Sequence, residues 1–139
     1  MGITIEGPHK SIDMGYGGFA QLRETVAELT APDISEHYNY LLKNGFLMSK
    51  SDFKKYDAKT EELDRKYGGK FTGILNFLYA ADAGASVSAD ICKSIYDIVC
   101  DYDDDIAYGY IGRSDCARFA DFKEILLDCI ENNSDMEWY

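Results

Sequence analysis

A chain of 139 residues is long enough for one domain that buries a core without disulfides or metals, and its 46% apolar and 14% aromatic content excludes a disordered polymer. Lys and Arg number 14 against 25 Asp and Glu, a net charge of −11, which disfavours direct nucleic-acid binding and favours basic partners. No apolar run approaches the roughly 20 residues of a membrane span, and Met1 to Gly15 carries acids without an apolar stretch, so no signal peptide is expected.

Ile3 and Ile5 alternate with Thr4 and Glu6, which predicts a short strand. Gly7-Pro8 is a turn signal, and Ser11 to Met14 returns as a second strand, making a hairpin. Gly15, Gly17 and Gly18 surround Tyr16, and the first helix follows with Phe19, Leu22, Val26 and Leu29 at helical spacing. Pro32-Asp33 closes it and opens a second helix, with Ile34, Tyr38, Leu41 and Leu42 inward and a stop at Asn44-Gly45. Ser51-Asp52 is the expected cap of a third helix. Its stripe of Phe53, Tyr56, Leu63 and Tyr67 is thin and its other faces are charged, so it rests only partly on the core; Gly68-Gly69 ends it. Residues 71–81 are apolar all round, the pattern of a central helix.

A fifth helix starts at Ser86 or Ser88, carries Ile91, Ile95, Ile98 and Val99 inward, and breaks at Asp101 to Asp105. Tyr108 to Gly112 is a loop or short extended piece. Ser114-Asp115 is the expected cap of the last helix, with Phe119, Phe122, Leu126, Cys129 and Ile130 inward, ending at Asn132-Asn133. Met136, Trp138 and Tyr139 form an aromatic tail. The expected fold is mainly α, a single domain of about six helices over residues 1–139 with a short N-terminal β-hairpin.

Cys92, Cys100, Cys116 and Cys129 form no Cys-x-x-Cys pair and lie far from His9 and His37, so four core thiols are expected and no metal site or cofactor. The Gly15–Gly18 turn has the outline of a phosphate cradle, with Arg23 as the nearby base, but lacks a Gly-Lys-Ser/Thr ending; a tight turn with positive φ is the plainer expectation. Asp101, Asp103 and Asp105 fit the first positions of a calcium loop, yet Ile106 stands where its glycine belongs and Gly112 where its glutamate belongs. The segment Asp82 to Lys93 also lacks the closing glutamate. Neither histidine sits in a nucleophile turn.

The charge is uneven: residues 1–42 carry net −4, residues 43–70 net +3 and residues 71–139 net −10. Within the last segment Asp101, Asp103, Asp104 and Asp105 are interleaved with Tyr102, Tyr108 and Tyr110, beside Tyr96, Asp97 and Asp115. Carboxylates steer a basic partner and tyrosines supply contact area. Asp101, Tyr102, Asp103, Asp104, Asp105, Tyr108 and Tyr110 are therefore the candidate partner-binding residues. Carboxylates at a helix C-terminus oppose its dipole, so the run carries a small cost that a use would explain.

The stretch Ser11-Ile12-Asp13-Met14-Gly15-Tyr16-Gly17-Gly18-Phe19 followed by Leu22-Arg23, with Tyr108-Gly109-Tyr110, Gly112-Arg113 and Asp115-Cys116, resembles uncharacterised small acidic proteins of phages and mobile elements of Gram-positive bacteria. That group brings no active site to carry over. By analogy of size, charge and source it implies an anti-defence inhibitor, of the anti-CRISPR kind, in the cytoplasm of a bacterial host. The expected function is a non-enzymatic protein that blocks a basic, nucleic-acid-binding surface of a nuclease or CRISPR effector, with neither nucleic acid nor membrane as a direct partner. An immunity protein against a basic toxin is the alternative within that class. A small enzyme with a site near Tyr16, Arg23 and the acidic loop, or a structural phage protein, are alternatives from other classes.

Overall fold

The computed structural model describes residues 2–81, 83–105 and 117–139. Strands β1 (Gly2–Glu6) and β2 (Ser11–Gly15) form the expected hairpin, with Ile3 opposite Met14 and Ile5 opposite Ile12. Helices α1 (Tyr16–Thr30) and α2 (Pro32–Asn44), a 3-10 turn (Gly45–Leu47), α3 (Lys50–Lys66) and α4 (Thr72–Tyr79) follow. Strand β3 (Ala85–Val87), α5 (Ala89–Val99), α6 (Phe119–Glu131) and strand β4 (Met136–Trp138) complete the described chain. The fold is mainly helical, with six α-helices among the described residues.

The hairpin belongs to a four-stranded antiparallel sheet of order β2-β1-β4-β3. Strand β4 places Trp138 opposite Ile5 on one side and Ala85 on the other. The aromatic tail is thus a strand, and Ser86 lies in a strand instead of opening a helix. Each of these strands is three residues long, so one buried-exposed-buried alternation, as at Met136, Glu137 and Trp138, is all the pattern they leave in the sequence.

One continuous core draws on the sheet and on all six helices. Its centre is aromatic: Trp138 lies 5.7 Å from Phe19 and 5.6 Å from Phe77, whose ring in turn meets Phe122 at 6.1 Å. Helix α4 is central, as its all-round apolar character requires, burying Ile74, Leu75, Phe77 and Leu78. Helix α3 buries only Tyr56 and Leu63. Leu42 and Phe53, expected inward, are exposed, and the turn that joins α2 and α3 buries no residue.

Local chemistry fixes the helix ends. Ser49 caps α3 two residues earlier than expected, and Asp52 closes the capping box by accepting the Ser49 amide at 3.0 Å. Ser88 caps α5. Gly68 and Gly69 end α3 with φ of 61° and 80°, the left-handed region open to glycine. Helix α6 begins beyond Arg118, whose amide donates to Asp121 at 2.9 Å; the expected cap Ser114-Asp115 lies outside the described residues.

Asp128 of α6 holds the hairpin turn onto the helical body. Its buried carboxylate accepts from the His9 and Lys10 amides at 2.7 and 3.1 Å and meets His9 Nδ1 at 2.9 Å. Burial alone would raise its pKa, but the bonds from His9 and Lys10 outweigh that and hold the carboxyl below the usual range. Cys92 and Cys129 are buried free thiols, as expected, whereas Cys100 is only partly buried because it falls at the frayed end of α5; Cys116 lies outside the described residues.

Candidate partner-binding surface

The acidic run follows the last turn of α5 and is held by Lys123 and Ala120 of α6. Lys123 is 9% exposed. Its ammonium donates to the carbonyls of Cys100 and Tyr102 and pairs with the Asp104 carboxylate at 2.7 Å. The Asp104 carbonyl in turn accepts the Ala120 amide at 3.2 Å. A cation at the last carbonyls of a helix complements its dipole. The cost expected from placing aspartates there is thus offset within the fold.

Asp101, Asp103, Asp104 and Asp105 are all exposed. Asp103 accepts the Asp105 amide at 2.9 Å, a local turn that fixes the backbone of the tip. Asp101 and Asp105 make no ion pair with a described residue, so most of the run's charge faces solvent.

Tyr102 is one of the candidate contact residues. It is half-buried, and its ring packs on Phe119 at 5.0 Å and 68°. Packing on α6 buries part of this ring and leaves part of it at the surface. Tyr96 likewise packs on the core. Tyr108 and Tyr110, the other candidate anchors, lie outside the described residues, as do Asp82, Ile106, Gly112 and Asp115. Among the described residues no group of three or more His, Cys, Asp or Glu side chains is placed to hold a metal.

The glycine turn lacks the backbone geometry expected of it, and Arg23 lies in the core. Gly15 is extended, with φ −71° and ψ 163°, and β2 runs straight into α1 with no left-handed residue, contrary to the positive φ expected. Arg23 is 3% exposed. It lies 4.4 Å over the Phe19 ring, beside Phe77 and Trp138, and donates to the carbonyls of Ala80 and Ala81 at 2.9 and 3.2 Å. It ties the end of α4 to α1 from within the core.

A cleft of about 520 Å³ between α2 and α3, lined by Asp33, Glu36, His37, Lys59, Glu62 and Lys66 among others, gave no sequence motif. Asp33 at the start of α2 accepts from Lys66 at 2.6 Å and from the Tyr67 hydroxyl at 2.7 Å, which closes one end. Those two bonds keep its carboxyl below the usual range. His37 stacks on Tyr56 at 3.8 Å and bonds Thr60 Oγ1 at 2.7 Å. The Tyr56 hydroxyl donates to the His37 carbonyl and accepts from Tyr79, whose phenol burial pushes up to about 12. These groups satisfy one another and stitch α3 to α2 and α4.

Burial first, and then Lys59, lowers the His37 pKa below its ordinary 6.5. The unfolded chain therefore binds a proton near pH 6.5 that the folded chain refuses. The stability His37 contributes is complete above that pH and declines as pH falls towards the folded value. Thermal melts between about pH 7.5 and 5.5 should show a falling Tm. The slope should be shallower in His37→Gln, which cannot titrate; equal slopes would refute the assignment.

Compared with known proteins, the chain matches no family model, no curated protein and no solved structure.

Proposed function

We propose that this chain is a non-enzymatic binding protein that docks its acidic α5–α6 loop on a basic, nucleic-acid-binding surface of a partner protein and blocks it, as phage anti-defence proteins do. A nuclease or CRISPR effector in the cytoplasm of a bacterial host has the required surface. The observation that carries this reading is the Lys123 anchor: one buried ammonium fixes the backbone of Cys100 to Asp104 while exposed carboxylates face outward. A preorganised row of charges loses little entropy on docking and accelerates encounter with an opposite field. Residues 71–139, the loop included, carry net −10 and set the sign of that field.

The test uses the chain as bait in a bacterial lysate, beside a variant with Asp101, Asp103 and Asp105 changed to Asn. The wild type should enrich a basic nucleic-acid-binding protein that the variant loses. With that partner purified, the variant should associate more slowly at low salt and differ less at high salt, because exposed charges are screened beyond about 8–10 Å. Equal capture by a variant that still folds would remove the loop from the function.

A further inference from the structure

The second exposed feature is opposite in character to the acidic loop. Phe46 and Leu47, adjacent in the 3-10 turn between α2 and α3, are 82% and 72% exposed. Leu42 at the end of α2 and Phe53 at the start of α3 are exposed behind them. Lys43, Lys50, Lys54 and Lys55, all exposed, bracket the turn. Asp52 is the one acid in residues 43–56, and it is engaged in the Ser49 cap. Four cations against one anion give this tip net +3, while the other residues of a chain at −11 together carry −14.

We infer that this tip is a peripheral docking point for an anionic lipid bilayer, with Phe46 and Leu47 entering the headgroup–acyl boundary and the lysines pairing with lipid phosphates. Two observations select this occupant. The apolar side chains sit on a projecting turn, and a projecting wedge suits a deformable phase. The cations lie behind the apolar point along both helices, which matches the order of a bilayer, where anionic headgroups overlie hydrocarbon. Long lysine stems span that boundary with the charge at the phosphate level. Repulsion from the rest of the chain is screened beyond about 8–10 Å, so the tip's own charge governs contact. The sequence-based expectation of no membrane partner rested on the lack of a spanning segment, and a surface tip needs none. The inference is independent of the acidic-loop reading.

Co-sedimentation of the full chain with phosphatidylglycerol–phosphatidylcholine vesicles, and with phosphatidylcholine alone, tests it. Binding to the anionic vesicles that weakens with salt is expected, with little binding to phosphatidylcholine. Phe46→Ser with Leu47→Ser should weaken partitioning about 10-fold or more. Lys54→Gln with Lys55→Gln should weaken it roughly 25-fold, about fivefold for each lysine. All four side chains are exposed, so the melts of both variants should match the wild type. The Asn variant of the acidic loop should bind vesicles as well as the wild type, which separates this inference from the proposed function. Failure to bind anionic vesicles, or equal binding by the Ser variant, overturns it. So does self-association lost in the Ser variant without vesicle binding, or salt-sensitive binding to polyglutamate without vesicle binding.

Discussion

Arg23→Ala is expected to cost about 3–5 kcal/mol of folding stability, a large share of the roughly 5–15 kcal/mol that holds a domain together. The side chain is buried against Phe19, Phe77 and Trp138 and donates to the carbonyls of Ala80 and Ala81. Truncation removes packing from three rings at once and takes one donor from the part-buried carbonyls of Ala80 and Ala81. The Trp138 indole also donates to Ala81, so the same corner holds strand β4. Arg23→Lys should recover only part of the loss, because a compact ammonium cannot lie flat over the rings as a planar guanidinium does. Urea unfolding followed by circular dichroism reads both variants. A near-neutral Arg23→Ala would place this residue outside the core and return it to the glycine turn as a candidate ligand contact.

The second large effect is expected at Lys123. Changing it to Met keeps most of the volume but removes the donor to Cys100, Tyr102 and Asp104. The carbonyls at the end of α5 and the carboxylates beyond them then lack their countercharge. A loss of about 2–3 kcal/mol is expected. Amide exchange at Asp105 and Ala120 should rise more than at α1. This variant also separates charge from order in the proposed function. It makes the chain more acidic by one unit, so a partner attracted by net charge alone would bind it better. If the fixed loop is what binds, association weakens despite the added negative charge.

Arg23 and Lys123 show where the sequence was legible and where it was misread. The stripe Phe19, Leu22, Arg23, Val26 in α1 and the stripe Phe119, Phe122, Lys123, Leu126 in α6 have the same spacing, with one cation at the fourth place after the leading Phe. Both cations are buried, and both bond carbonyls just past the end of another helix, α4 for Arg23 and α5 for Lys123. A lone cation inside an apolar stripe was thus a readable sign of a buried clamp, though periodicity alone could not name the carbonyls it meets. Six helices were readable because their apolar stripes repeat over two turns or more. Strands β3 and β4 were not, since three residues carry no period and their pairing is set by partners far along the chain. The acidic tip was visible as composition. That Tyr102 folds back on Phe119 depends on how α6 packs, which local pattern does not encode.

The measurement that bears most directly on the central claim is competition at the captured partner. A labelled nucleic acid bound to that protein is titrated with the wild-type chain, with the Asp101, Asp103 and Asp105 to Asn variant, and with Lys123→Met. Displacement by the wild type should weaken as salt rises, and both variants should displace the nucleic acid much more weakly. Displacement by the Asn variant at wild-type strength, with its fold intact, would contradict the claim that this loop occupies the partner's nucleic-acid surface.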